Sequence, residues 1–229
     1  FGPFHFINQT ETTQSPTSAI AGFEYPPFDF KKGVEHLKMA NARYFVAYTD
    51  NIKQLAKENM TWLNNVGPFS VYELPANNLV DVYNDFQIVK KQKDWIKESI
   101  SWYKGENINQ PIVFYQNNWQ KNILEKSDRQ TDILPVKINE LKENKLTFST
   151  ENIGKLHLIK ISYFPTWKVK GGYGPFLVSP SFIGVVPTEK NVVVYFAKGL
   201  IDNLSYLITY LSILIVTIKV FRPKWLKWL

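Results

Sequence analysis

The run from Leu200 to Phe221 limits what this chain can be more than any other stretch. At ~1.5 Å rise per residue, a helix of that length crosses a ~30 Å hydrocarbon core. Its charges, Asp202 and Lys219, sit near the ends. Leu204, Leu207, Ile208, Leu211, Ile215 and Ile218 form one helical face, and Tyr206, Tyr210, Ile213, Leu214, Val216 and Val220 make the other faces apolar too. A helix apolar all round is buried in protein or in lipid. The following residues favour lipid: Arg222, Lys224 and Lys227 interleave with Trp225 and Trp228, as basic and aromatic residues do at the cytoplasmic end of a span. These are the expected membrane-interface anchors. The positive-inside rule then places residues 1–199 on the extracytoplasmic side of the cell membrane, with 200–221 as a transmembrane helix and 222–229 as a basic cytoplasmic flank.

Upstream of that helix the pattern is β. Lys155 to Phe164 alternates polar and apolar residues, Pro165 and Thr166 interrupt, and Trp167 to Lys170 resumes the alternation. Gly171, Gly172 and Gly174 mark a bend before Phe176-Leu-Val178, Phe182 to Pro187 and Val192 to Phe196. Val136 to Leu141 and Lys145 to Thr150 form a further alternating pair. An antiparallel β-sandwich over 131–199 is the expected product.

The N-terminal half mixes periods. Residues 1–30, with Pro3, Pro16, Pro26 and Pro27, read as an extended lead-in. Over 31–130 an α/β subdomain is expected: a helix capped by Asp29, a strand from Arg43 to Thr49, a helix after Asp50 or Asn51, and a strand from Phe69 to Leu74 beside the Tyr44 strand. A strand at Leu79–Tyr83, a helix at Lys91–Tyr103, a strand at Pro111–Tyr115 and a helix at Asn118–Lys126 follow, closed by a polar hinge at Ser127–Thr131. The fold class is α+β, an α/β subdomain and then a sandwich and one membrane helix.

Composition narrows the function classes. With 229 residues, 45% hydrophobic and 21% charged, the chain is of the folded class. Its charge of +7 is scattered apart from the C-terminal group, without the basic stripe of a nucleic-acid binder, so nucleic acid is not an expected partner. The absence of cysteine excludes disulfides, thiol nucleophiles and Cys-based zinc sites. The start at Phe1, without Met or signal peptide, fits a segment of a longer, multi-spanning protein.

Gly33-Val-Glu-His-Leu37 leading to Ala42-Arg-Tyr-Phe-Val46, Gly67-Pro-Phe-Ser-Val-Tyr-Glu-Leu74, and Ser162-Tyr-Phe-Pro-Thr-Trp-Lys-Val169 followed by Gly174-Pro-Phe and Val185-Val-Pro187 together resemble a known family. It is the outward-facing C-terminal region of polytopic membrane proteins of the GT-C glycosyltransferase and YfhO type, including some labelled as pyruvoyl-tetrahydropterin-synthase-related membrane proteins. The resemblance covers about half the chain, and its most specific part is Tyr-Phe-Pro-x-Trp before a terminal span. It implies an accessory domain of a lipid-linked-sugar-dependent transferase whose catalytic loops lie elsewhere in the polypeptide. No catalytic residue carries over. The implied partners are the lipid bilayer, the remaining transmembrane part of the same polypeptide, and a glycan or lipid-linked sugar.

Read for chemistry, the residues offer little. His5, His36 and His157 lack metal-ligand spacing, so no metal or cofactor is expected and structural roles are the default. Asp81/Asp85 and Asp94/Glu98 are carboxylate pairs of the kind a glycoside hydrolase needs, but the second sits among Lys93 and Lys97 like an ordinary solvated helix face. Asn8-Gln-Thr10, Asn59-Met-Thr61 and Asn203-Leu-Ser205 match the glycosylation sequon and are assigned no function. The aromatics Trp167, Tyr163 and Tyr173, near Pro165 and the Gly bend, are the candidate glycan contacts, with a core role expected for Trp167. A carbohydrate-binding module should expose coplanar aromatics, a hydrolase should show two facing carboxylates, and a scaffold neither.

Overall fold

Asp29 starts the first unit of the fold. Its carboxylate accepts the backbone N–H of Lys32 at 3.1 Å and caps helix α2 (Phe30–Met39), which buries Phe30, Gly33, Val34 and His36 along one side. Strand β1 (Tyr44–Ala47), helix α3 (Asp50–Asn59) and strands β2 (Thr61–Val66) and β3 (Phe69–Glu73) follow. The three strands form an antiparallel sheet in the order β1-β3-β2, with Tyr44 opposite Glu73, as the sequence leads one to expect. Gly67 makes the β2–β3 turn at φ +56°, a left-handed conformation that glycine adopts without strain. Phe30, Val34, Ala47, Ile52, Ala56 and Tyr72 close its core. The computed structural model describes residues 3–13, 26–75, 78–105, 107–130 and 132–221.

The larger unit is a sandwich of unequal sheets. One has six strands: β4 (Val80–Tyr83), β5 (Gln87–Lys90), β6 (Ile112–Tyr115), β9 (Leu156–Ser162), β11 (Gly172–Val178) and β12 (Phe182–Pro187), in the order β4-β9-β12-β11-β6-β5. Its pairings are antiparallel except β5 with β6. The other is antiparallel, from β7 (Lys137–Lys142), β8 (Lys145–Ser149), β10 (Trp167–Lys170) and β13 (Asn191–Phe196), in the order β10-β13-β8-β7. Ile159, Ile183 and Val185 of the first meet Leu146, Phe148, Trp167, Val192 and Val194 of the second. A second cluster gathers Leu156, Leu158, Phe176, Val178 and Val186 under Phe86 and Leu124, the latter from helix α5 (Asn118–Glu125). Helices α1 (Pro3–Thr12) and α4 (Trp95–Lys104) build another, placing Phe4, Ile7, Trp102 and Tyr103 against Ile112, Phe114 and Leu177.

Three expectations are corrected. The lead-in is not extended where it is described: residues 3–12 are helical, with Pro3 at the first position, where its missing N–H costs nothing. Phe4, Ile7 and Glu11 recur at helical spacing and are buried. The boundary expected at 127–131 does not divide the sheets, because β4, β5 and β6 precede it and hydrogen-bond into the sheet of β9, β11 and β12. Nor is the segment a hinge: Asp128 N–H donates to Gly154 O at 2.9 Å, and the buried Lys155 ammonium donates to the carbonyl of Gln130 at 2.8 Å. Finally, β9 alternates in sequence but is buried from Leu156 to Lys160, because that sheet is covered on both sides.

Helix α6 (Leu200–Phe221) begins three residues after β13. It is long and apolar enough to cross a membrane, and none of Ile201–Lys219 is buried against the rest of the chain. Ser205, Thr209, Ser212 and Thr217 each turn their hydroxyl onto the carbonyl four residues earlier, at 2.8–2.9 Å. These four hydroxyls are thus satisfied within the helix, as a hydrocarbon environment requires. The anchors Arg222, Lys224, Trp225, Lys227 and Trp228 lie outside the described residues.

Candidate functional site

Helix α2 carries polar groups on two sides. Towards α1 and α4 it presents His36. Glu35, Lys38 and Met39 instead line a cleft of about 460 Å³ with Asp81 and Tyr83 of β4 and Lys160 of β9. Strand pairing places these last three: Asp81 lies opposite Leu158 and Tyr83 opposite Leu156, on the side of β9 to which Lys160 also points. Lys160 Nζ lies 2.8 Å from Asp81 Oδ2, with its side chain 1% exposed. A buried ammonium needs such a partner, since an unpaired one would lose its hydration without return. The Tyr83 hydroxyl is pushed up to about 12, first by burial and then by the Asp81 charge, so at neutral pH it is a hydrogen-bond donor. The cleft therefore offers a phenol, carboxylates and ammonium groups, which suits hydrogen bonding to a polar ligand.

Carboxylates suggested by spacing are held by separate partners. Asp81 is engaged by Lys160, whereas Asp85 accepts from the Gln110 side chain at 2.8 Å and lies 3.8 Å from Arg129. Asp94 pairs with Lys97 on the exposed start of α4. Asp81, Asp85 and Asp94 are thus each engaged by a partner of their own.

Behind the cleft is a closed cluster that sequence reasoning missed. His36 Nδ1 and Glu11 Oε2 are 2.6 Å apart, both side chains are fully buried, and the Tyr103 ring stacks on the imidazole at 3.7 Å between centroids. Glu11 Oε1, His36 Nε2 and the Tyr103 hydroxyl have no hydrogen-bond partner among the described residues. Burial, and then the Glu11 carboxylate, raise the Tyr103 hydroxyl far above its ordinary value. The cluster ties α1, α2 and α4 together, and the backbone permits the crossing: a Cβ on Gly33 would lie 2.5 Å from Thr12 Cγ2, and Asn8 Nδ2 donates to Gly33 O at 2.8 Å.

His157 is structural in a different way. Its Nδ1 lies 3.0 Å from the Lys155 carbonyl and must donate, so Nε2 accepts from the Thr150 hydroxyl at 2.8 Å. Burial pushes the imidazole down to about 4, partly opposed by the Lys155 contact. His5 is exposed on α1. Among the described residues, no three His, Cys, Asp or Glu side chains lie together as a metal site.

The candidate glycan contacts separate. Trp167 is buried, with Nε1 donating to the Ser162 carbonyl at 3.2 Å and its ring edge-on to Phe196 at 5.5 Å. Tyr163 packs half-buried against the same core. Tyr173 is 41% exposed and meets Trp119, 56% exposed, edge-to-face at 5.8 Å. Trp119 opens α5, and its place on a helix gave no sign of which strand it would meet. Another aromatic surface covers the outer face of the three-stranded sheet, where Tyr44, Val46, Tyr48, Val66 and Phe69 are exposed and Tyr48 lies 5.4 Å from Phe69. The chain matches no family model, no curated protein and no solved structure.

Proposed function

We propose that this chain is a non-catalytic, extracytoplasmic accessory domain, held to the cell membrane by α6, of a polytopic protein of the GT-C glycosyltransferase or YfhO type. The observation that carries the membrane reading is α6 itself, apolar on every side and free of the globular part over Ile201–Lys219. An uncovered surface of that size is stable in lipid and a liability in water. The orientation is supported by Arg222, Lys224 and Lys227 after the span. The transferase assignment draws on Tyr163-Phe-Pro-Thr-Trp167 before a terminal span. The separately partnered carboxylates support a non-catalytic role. The exposed aromatic face of the three-stranded sheet is suited to packing over the membrane part of the same polypeptide.

Carbohydrate binding is a second reading, favoured by the exposed Trp119–Tyr173 pair. Edge-to-face rings can grip a sugar with one face and one edge, although they do not form a flat platform. Protease treatment of sealed cells making the full chain tests the membrane reading. Digestion of the part before Leu200 with survival of a membrane-bound C-terminal fragment is expected. Protection of that part while the tail after Phe221 is cleaved would reverse the orientation.

A further inference from the structure

We propose that the rim of the four-stranded sheet at the root of α6 rests on the bilayer, with Phe164 and Leu141 seated among lipid headgroups and Lys168 and Lys198 facing anionic lipid. This rests on α6 crossing the membrane. Residues 197–199 alone join β13 to α6, so the rim can stand off the first helical turn by no more than about 10 Å. The junction is also pinned: Ala197 N–H donates to Thr166 O at 3.1 Å, and Gly199 N–H donates to Asp202 Oδ2 at 2.6 Å. Phe196 N–H donates to Asn144 O at 2.8 Å, which brings the β7–β8 hairpin tip to the same place.

At this rim Leu141 is 59%, Phe164 56% and Phe196 43% exposed. Single exposed hydrophobics are ordinary, but three around the root of a membrane helix are placed where the interface begins. The charges suit that position. Lys142 and Lys145 hold Glu140 at 2.5 and 2.7 Å and Asp202 is used by the helix start, so against the one exposed carboxylate of the hairpin tip, Glu143, two lysines, Lys168 and Lys198, remain to meet phosphate groups. Lys198 Nζ lies 4.5 Å above the Tyr206 ring, joining an ammonium to an aromatic of the kind enriched at membrane interfaces. A basic, partly apolar rim fixed next to a span gains both from burial in the interface and from anionic headgroups.

Because the chain has no cysteine, single-cysteine variants report unambiguous positions. Phe164→Cys, Leu141→Cys, Glu189→Cys and Ser212→Cys in the full chain would each carry an environment-sensitive fluorophore. The proteins would be reconstituted in vesicles of phosphatidylcholine and phosphatidylglycerol in equal parts. Spin-labelled lipid with its quencher at the headgroup should quench positions 164 and 141 several-fold more than 189, which lies at the other end of the sheet, and lipid labelled deep in the acyl chain should quench 212. Quenching at 212 with 164 and 141 no different from 189 would overturn the proposal while leaving the span intact, as would a rim covered by protein. No quenching at 212 would remove the span and the proposal with it. Vesicles of phosphatidylcholine alone, or Lys168→Gln with Lys198→Gln, should reduce quenching at 164. Indifference to both would refute the role of anionic lipid.

Discussion

Lys160 and Asp81 face each other across β9 and β4, ammonium to carboxylate at 2.8 Å, with the lysine wholly enclosed and the aspartate at the floor of the polar cleft. Removing one partner of a buried pair strands the other, at a cost of about 3–5 kcal/mol. Asp81→Asn should therefore lower the melting temperature markedly. Lys160→Met, which removes the enclosed charge, keeps the stem and leaves Asp81 with its 24% exposed side chain reaching water, should cost clearly less. Equal small effects in detergent-solubilised protein would show that the pair is not buried as described.

His157 makes stability depend on pH. Its folded-state value of about 4 lies below the ordinary 6.5, so between these limits the unfolded chain binds more protons than the folded one. The sign is fixed: its contribution is full above 6.5 and is lost as pH falls towards 4. At ~1.4 kcal/mol per unit the loss approaches about 3 kcal/mol. Melting followed across that window should fall for the parent, and His157→Gln should flatten the fall. An unchanged pH dependence in the variant would contradict the neutral, buried assignment.

The α1–α2 crossing can be tested by adding one methyl group. Gly33→Ala should destabilise by roughly 1–3 kcal/mol through overpacking against Thr12, despite the better helix propensity of alanine. Adding Thr12→Ser, which removes the opposing methyl, should recover part of the loss. A stabilising Gly33→Ala would mean the helices stand further apart.

The aromatic residues divide by exposure. Trp167→Ala should cost roughly 3–5 kcal/mol by leaving a cavity between the sheets, whereas Trp119→Ala should alter stability by less than about 0.5 kcal/mol. If the chain binds glycan, Trp119→Ala should abolish binding in a glycan array without changing the melting curve. Retained binding would exclude the Trp119–Tyr173 pair as the contact.

Local signals mark the elements more readily than their partners. Asp29 marks the start of α2, Asn117 caps α5 one residue before the predicted start, and Phe69–Glu73 pairs with the Tyr44 strand through ordinary alternation. The β-branched and aromatic run Ile112–Tyr115 marks a strand, but with both faces of β6 apolar nothing in it says that it joins a strand about sixty residues later. Helix α1 is obscured by Pro3, by the prolines beyond its end and by the polar run, although Phe4, Ile7 and Glu11 show its spacing. Nothing local linked Glu11 to His36 or Trp119 to Tyr173, since each contact joins elements that meet only after folding.

The central claim, an extracytoplasmic domain anchored by α6, is tested most directly by labelling single cysteines in intact cells with a membrane-impermeant maleimide. The account predicts that Lys190→Cys, exposed at the end of the sheet away from α6, is labelled without lysis, and that Lys227→Cys is labelled only after the membrane is opened. Labelling of Lys227→Cys in intact cells with Lys190→Cys protected, or labelling of both positions in protein released without detergent, would contradict it.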